Sequence, residues 1–272
     1  TGRMLGAGRA SAYVMVDSFV IALTTASVPL LPNAVRLAAL EADLAGAAHG
    51  SRVRLGPGLI QGEGFSVRWD PQHPPLWEPR LSGSSPENRL KVLIRAQALS
   101  ELSGAIDLEL LAAEAVPAAA RLWRAIADDD GTSAAQAARE LIGRGPGLTP
   151  EGDDLVAGTV ATLLAWAPAL GWSTPPPWFR RILPGDLRRR TTAISATLLE
   201  LALDGCVAEP LARVLDLGSS DDRWRARWGE LLRLGHSTGR ALALAAARTG
   251  TALCAASAPG HGACDEATVS GA

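Results

Sequence analysis

A helix without a polar face belongs in the middle of a folded chain, where other elements cover it on every side. Residues 155–166 (LVAGTVATLLAW) read as such a helix. Leu155, Val156, Val160, Leu163 and Leu164 form one side, and Gly158, Ala161 and Ala165 form a stripe of small residues at helical spacing. Only Thr159 and Thr162 are mildly polar. The chain enters this helix through a glycine-rich turn, Leu141-Ile142-Gly143-Arg144-Gly145-Pro146-Gly147-Leu148-Thr149-Pro150-Glu151-Gly152-Asp153-Asp154. Thr149 reads as the N-cap and Pro150 as the first helical residue, with acids following where the macrodipole favours them.

Two of those acids are out of keeping with an apolar helix. At helical spacing Asp153 lies above Ala157 and Val160, and Asp154 lies above Gly158 and Ala161. Both carboxylates therefore point toward packed surface, where an ionised group without a partner is costly. One reading is macrodipole complementarity, worth about 0.3–1 kcal/mol per acid. The other is a pocket at the helix mouth, with glycine amides on one side and two carboxylates on the other. Four glycines within ten residues, and the missing polar face, favour the pocket. It would use Gly145, Gly147 and Thr149 as ligand contacts, with Asp153 or Asp154 orienting an amine or amide, acting as base, or bridging through Mg²⁺. No metal ligand set and no definite cofactor is read from the chain. The turn is not a P-loop, because no Gly-Lys-Ser/Thr follows the glycines. It is not a dinucleotide fingerprint, because residues 133–142 read as a helix rather than a strand.

Two further stretches add polar groups. Residues 186–203 read as one helix on which Arg188, Thr192 and Ser195 lie near a common face. Hydroxyls beside guanidinium groups suit a phosphate or carboxylate, although a surface helix with back-bonding Thr and Ser gives the same pattern. Gly235-His236-Ser237-Thr238-Gly239 opens the last helix, with Ser237 or Thr238 as cap. There His236 is placed as a general acid or base, or as a plain hydrogen-bond donor. Gly235 and Gly239 would let a ligand approach the backbone, and two helix N-termini facing one cavity would favour an anion.

The string GRGPGLTPEGDDLVAG at residues 143–158 resembles the signature of a bacterial family that includes the AllH-type subunit of oxamate carbamoyltransferase, from anaerobic allantoin and purine breakdown. The resemblance continues more loosely at Arg190-Thr191-Thr192-Ala193-Ile194-Ser195 and at Gly235-His236-Ser237-Thr238-Gly239. It departs at Glu151, where the family commonly has Ser. The resemblance implies carbamoyl transfer linked to oxamate, oxalurate and carbamoyl phosphate. Asp153, Asp154 and His236 are then the candidate catalytic residues, and Gly145, Gly147, Thr149, Arg190, Thr192, Ser195 and Ser237 the candidate substrate contacts. It also allows a hetero-oligomer with other carbamoyltransferase subunits, in which this chain completes or regulates a site elsewhere. An exposed apolar helix face would mark that case, with the Trp-rich segment 166–178 as the place to look. A plain metabolite-binding module is the third reading. No activated Ser or Cys nucleophile stands out.

With 28 acids against 26 basic residues, no global field favours nucleic acid. The cysteines, Cys206, Cys254 and Cys264, lack metal or disulfide spacing, which suits a reducing cytoplasm. No apolar run approaches the ~20 residues of a membrane span. Residues 1–80 read as β, with strands at 11–16, 19–25, 53–55, 59–60 and 65–69, and 35–37 as a strand or the start of a helix through 44. Residues 70–86 read as a linker pinned by Trp69 and Trp77. Residues 81–257 read as helical, including a helix at 107–127 kinked by Pro117, an acidic stop at 128–130 and inward-facing Trp224 and Trp228. Residues 258–272 are expected to be a disordered tail. The expected fold is α+β, a small antiparallel β subdomain followed by a larger all-helical domain.

Overall fold

The computed structural model describes residues 1–38, 47–72, 77–106, 112–172, 176, 178–218 and 221–258. The fold is α+β. Seven strands, β1 (Gly2–Ala7), β2 (Ser11–Val16), β3 (Phe19–Thr24), β4 (Ala34–Arg36), β5 (Arg52–Gly56), β6 (Leu59–Gly62) and β7 (Phe65–Arg68), form one sheet in the order β4-β3-β2-β1-β5-β6-β7. The expected hairpin is present. β2 and β3 pair from Ser11↔Thr24 to Val16↔Phe19, and Asp17 turns the chain at φ 53°. Two features depart from the expectation. β1, glycine-containing and bulged between Met4 and Gly6, lacks the β-branched signal of its neighbours yet sits between β2 and β5. β4 pairs with β3 in parallel, so the sheet is not wholly antiparallel. The expected helical alternative through residue 44 falls largely on residues 39–46, outside those described. One face buries Met4, Val14, Leu23, Val53 and Ile60 in a core of its own.

The helices are α1 (Arg89–Ser103), α2 (Val116–Ala127), α3 (Gly131–Leu141), α4 (Glu151–Trp166), α5 (Leu187–Arg190), α6 (Ala193–Leu203), α7 (Glu209–Leu215), α8 (Asp221–Leu232) and α9 (Thr238–Ala256). As its composition demands, α4 is central: all of it is buried except Ala157 and Leu164, which are partly so. Its small-residue stripe is where α9 crosses. A Cβ on Gly158 would lie 2.8 Å from the Ala245 Cβ and 2.9 Å from the Leu242 carbonyl oxygen. Polar groups along its middle and end are satisfied: the Thr162 hydroxyl donates to Gly158 O (2.8 Å), Thr249 to the Thr159 hydroxyl (3.2 Å), and Trp166 Nε1 to Leu215 O (2.9 Å).

Local differences from the expected helices have local causes. Pro117 sits in the first turn of α2, where its missing N–H costs nothing, and so it kinks no helix; residues 107–111 of the expected helix lie outside those described. The acidic stop does more than terminate. Asp130 caps α3, accepting from the N–H groups of Thr132 and Ser133. Trp178 packs directly over Gly131 and is buried. Trp166 is fully buried, and Trp172 is partly buried with its Nε1 donating to Ser257 Oγ (3.2 Å), so among the described residues of this segment no tryptophan is exposed. In the expected linker, Leu81 N donates to Gly205 O, Arg80 bridges to Cys206, and Val207 N donates to Pro79 O. That segment is laid along the α6–α7 connection. Trp224 and Trp228 face inward as expected. Among the described residues no helix is long and apolar enough to cross a membrane. The expected tail lies, beyond residue 258, outside the described residues.

The sheet and the helices meet chiefly at α6. The buried N–H of Val20 on β3 donates to Thr197 Oγ1 (3.2 Å), and Arg188 pairs with Glu200 while donating to the Ser18 carbonyl at the β2–β3 turn.

Candidate functional site

Between α3 and α4 three alternate glycines, Gly143, Gly145 and Gly147, have positive φ (80°, 106° and 94°). At Gly143 the reason is a close approach as well as a conformation, because an added Cβ would fall 2.0 Å from the Arg190 carbonyl oxygen. Above Gly147 the space is open. Among the described residues the N–H groups of Gly145 and Gly147 close no hydrogen bond within the chain.

Helix α4 starts one residue later than the sequence suggests. Pro150 (φ −52°, ψ 138°) occupies the cap position, and its carbonyl accepts from the N–H of Asp153 (2.9 Å) and Asp154 (3.2 Å). That displaces Thr149 from the cap. Its hydroxyl instead meets the Thr238 hydroxyl at 2.9 Å, joining the entry of α4 to the entry of α9.

Glu151, Asp153 and Asp154 are all buried, at 5%, 1% and 5% exposure. They differ in what they hold. Asp153 Oδ1 accepts from Gly143 N (2.8 Å) and Oδ2 from the Thr191 hydroxyl, so this carboxylate ties the glycine turn and the α5–α6 junction to α4. Burial pushes its pKa up, and the bonds from Thr191, Gly143 and Ser195 oppose that shift. Glu151 Oε2 accepts from Ala112 N (2.6 Å). Asp154 is the exception, because its buried Oδ2 has no hydrogen-bond partner. Burial raises its pKa well above the ordinary carboxylate range. The Thr238 hydroxyl pulls the other way, and the neighbouring charges of Asp153 and Glu151 add to the rise.

The expected single helix over 186–203 is broken. Thr191 is extended (φ −139°, ψ 179°), and Thr192 caps α6 by accepting from Ser195 N (3.1 Å) while donating to Leu148 O. The polar stripe predicted from helical spacing therefore does not exist. In its place the break delivers Thr191 to Asp153, fastens Thr192 to the glycine turn, and buries Ser195 beside them. Arg190 contributes its carbonyl to the packing at Gly143, while its Nε pairs with Asp186 (2.8 Å). Arg188 is committed to Glu200 and the sheet.

At the third motif His236 is exposed, and no hydrogen bond joins its side chain to the buried acids. Ser237 stands at the cap position of α9 without a side-chain capping bond. Gly239 is required by packing, not by a ligand: an added Cβ would lie 1.9 Å from the Leu231 carbonyl oxygen. The fold thus gathers Gly145, Gly147, Thr149, Asp153, Asp154, Thr192 and Ser195 around the α4 entry, with Thr191, Thr238 and Glu151 added to the set expected from sequence. A third acid in the first turn of an all-buried helix was the available signal for Glu151. Thr191 and Thr238 are recruited by a helix break and a long-range crossing that no local pattern encodes.

Among the described residues no group of three or more His, Cys, Asp or Glu side chains is placed to hold a metal, and of the three acids here Asp154 is the one with an unpartnered buried oxygen.

A glycine turn with positive φ, leading into three buried acids at the entry of a buried helix, defines the class of arrangement. Residues 141–249 match the family model described as oxamate carbamoyltransferase subunit AllH, a span from the glycine turn into α9 that includes every residue of the set, while Ala112, the partner of Glu151, lies outside it. Over these residues the chain resembles that family. No solved structure matches it.

Proposed function

We propose that the entry of α4 binds a small carboxylate- or amide-bearing substrate in a carbamoyl-transfer reaction of the oxamate, oxalurate and carbamoyl phosphate type. The observation that carries the reading is Asp154 Oδ2, a buried carboxyl oxygen without a partner beside an open glycine turn. Such an atom is costly unless something occupies it. The raised pKa favours the protonated acid, which donates to a carbonyl. On ionisation it accepts an amide or amine N–H instead. Asp153, with both oxygens engaged, is the positioning residue. The N–H groups of Gly145 and Gly147, which close no hydrogen bond among the described residues, suit a developing oxyanion. In this reading Thr149, Ser195 and Ser237 are ligand contacts, and His236 is a candidate proton donor. In the transfer itself the bond from the carbamoyl carbon to the phosphate oxygen breaks, a C–N bond to the amide nitrogen of oxamate forms, and that nitrogen gives up a proton to the departing phosphate.

Calorimetric titration of the purified chain with oxamate, oxalurate and carbamoyl phosphate, with and without Mg²⁺, tests this beside Asp154→Asn. Binding by the wild type that weakens at least about tenfold in the variant supports a ligand at Asp154. Equal binding by both removes Asp154 from the site.

The second reading is a partner-dependent subunit. It is favoured by the matched family's description as a subunit and by Asp153 being spent on structure. It predicts binding without turnover by the chain alone, with turnover restored by partner chains.

A further inference from the structure

Outside the buried acids, on the other side of Gly143, the surface dips into a concavity of about 460 Å³. Its rim carries Arg139 and Gln136 from α3, Arg144 from the glycine turn and Arg190 from α5, with Gly143 in its lining. That volume lies in the range of small-molecule sites, roughly 300–1,000 Å³. The three guanidinium groups are held in the same way. Arg139 Nε donates to Arg181 O (2.9 Å), Arg144 Nε to Glu140 O (3.2 Å), and Arg190 Nε to Asp186 Oδ1 (2.8 Å). Each is anchored through its inner nitrogen, and among the described residues no terminal amino group of the three makes a hydrogen bond within the chain.

Of the negative charges here, Glu140 lies in the lining itself and Asp186 beside it, and each is already paired. Asp186 pairs with Arg190, and Glu140 pairs with Arg121 while accepting from Gln136 Nε2 (3.3 Å). The hydrogen bond from Arg121 holds the Glu140 carboxyl below its usual range. What remains is an excess of positive charge presented as outward-facing guanidinium forks, the geometry that grips oxyanions in pairs of parallel bonds. Three forks around one space call for more acceptor oxygens than a planar carboxylate offers. A tetrahedral phosphate supplies them.

We propose that this concavity is a binding site for a phosphate-bearing small molecule, distinct from the site at Asp154. It stands without the transfer chemistry above. The two places are nevertheless joined by covalent neighbours. Gly143, in the lining, donates its N–H to Asp153 Oδ1, and Thr191, next after Arg190, donates its hydroxyl to Asp153 Oδ2. A ligand that draws Arg144 and Arg190 together therefore acts on both anchors of Asp153.

The test is titration of inorganic phosphate and acetyl phosphate into the full chain, comparing wild type with Arg139→Ala/Arg190→Ala, Gln136→Glu, Asp154→Asn and the distant surface control Arg248→Ala, with melting curves for each. Saturable binding is expected. It should weaken about tenfold or more in the double variant and in Gln136→Glu, which puts a negative charge in the concavity, and stay within about twofold in Arg248→Ala and Asp154→Asn. Using Gln136→Glu keeps the test independent of any folding defect in the double variant. The proposal is overturned if the wild type shows no saturable binding, if Gln136→Glu binds as the wild type does, or if Asp154→Asn loses phosphate while the arginines are intact. That last result would place phosphate at the α4 entry instead. Loss of oxamate binding in Asp154→Asn with phosphate retained leaves both sites standing, so the two proposals fail separately.

Discussion

At the scale of single residues, three adjacent acids behave in three ways because their partners differ. Glu151 and Asp153 are consumed by a backbone N–H and by a turn-to-helix staple, whereas Asp154 is buried with an oxygen to spare. This has a consequence for stability. A carboxyl whose pKa is raised by folding keeps its proton longer in the folded chain than in the unfolded one. Its contribution to stability is therefore greatest below the ordinary carboxylate range and declines as pH rises from that range toward the raised value. Asp154→Asn removes the penalty. The variant is expected to melt several degrees above the wild type near pH 8, with the gain shrinking to nothing by about pH 4, as read from thermal unfolding across that span. A gain that is constant with pH would show that Asp154 is ionised at little cost. Sequence alone exposed the oddity, since two acids on a helix with no polar face had to be either buried or wrongly placed. It could not say which acid would be satisfied, because the deciding donors, Gly143 N–H and the Thr191 hydroxyl, come from a turn and from a helix break.

At the scale of elements, the α4–α9 crossing depends on the absence of side chains. Gly158 has the Ala245 methyl and the Leu242 carbonyl at distances no Cβ tolerates, so even Gly158→Ala forces the helices apart. The expected cost is about 1–3 kcal/mol, measured as a lower urea midpoint with the slope unchanged. An unchanged midpoint would mean that the crossing adjusts freely. The small-residue stripe of α4 was legible because helical spacing alone places Gly158, Ala161 and Ala165 together. The break at Thr191 was not legible, because residues 186–203 contain neither Pro nor Gly, and every residue there is tolerated in a helix. Long-range bonds from Thr191 to Asp153 and from Thr192 to Leu148 outweigh local propensity at that point. The same tertiary override hid β1, whose sequence is unremarkable for a strand but whose neighbours on both sides hold it in the sheet.

At the scale of the whole molecule, the sheet has its own apolar core and is tied to the helices by few polar links. The most buried of these is Val20 N–H to Thr197 Oγ1. Thr197→Val keeps the shape and removes the acceptor, leaving a buried N–H unpaired at a cost of about 1–3 kcal/mol. Faster amide exchange at Val20 and its β2–β3 neighbours, with little change in α4, is the expected result, and equal slowing or quickening everywhere would contradict it. The division into a β part and a helical part was read from composition and periodicity. The docking of one on the other was not, since it depends on a threonine in mid-helix that local pattern treats as ordinary.

The central position of α4 also orders events during synthesis. Its covering helix α9 begins more than seventy residues downstream, at Thr238, so α4 leaves the ribosome well before the surface that shields it exists. During that interval this helix, which has no polar face, lacks its principal cover. Nascent chains halted before residue 238 should therefore be held by chaperones that bind apolar segments, and release should coincide with the emergence of α9.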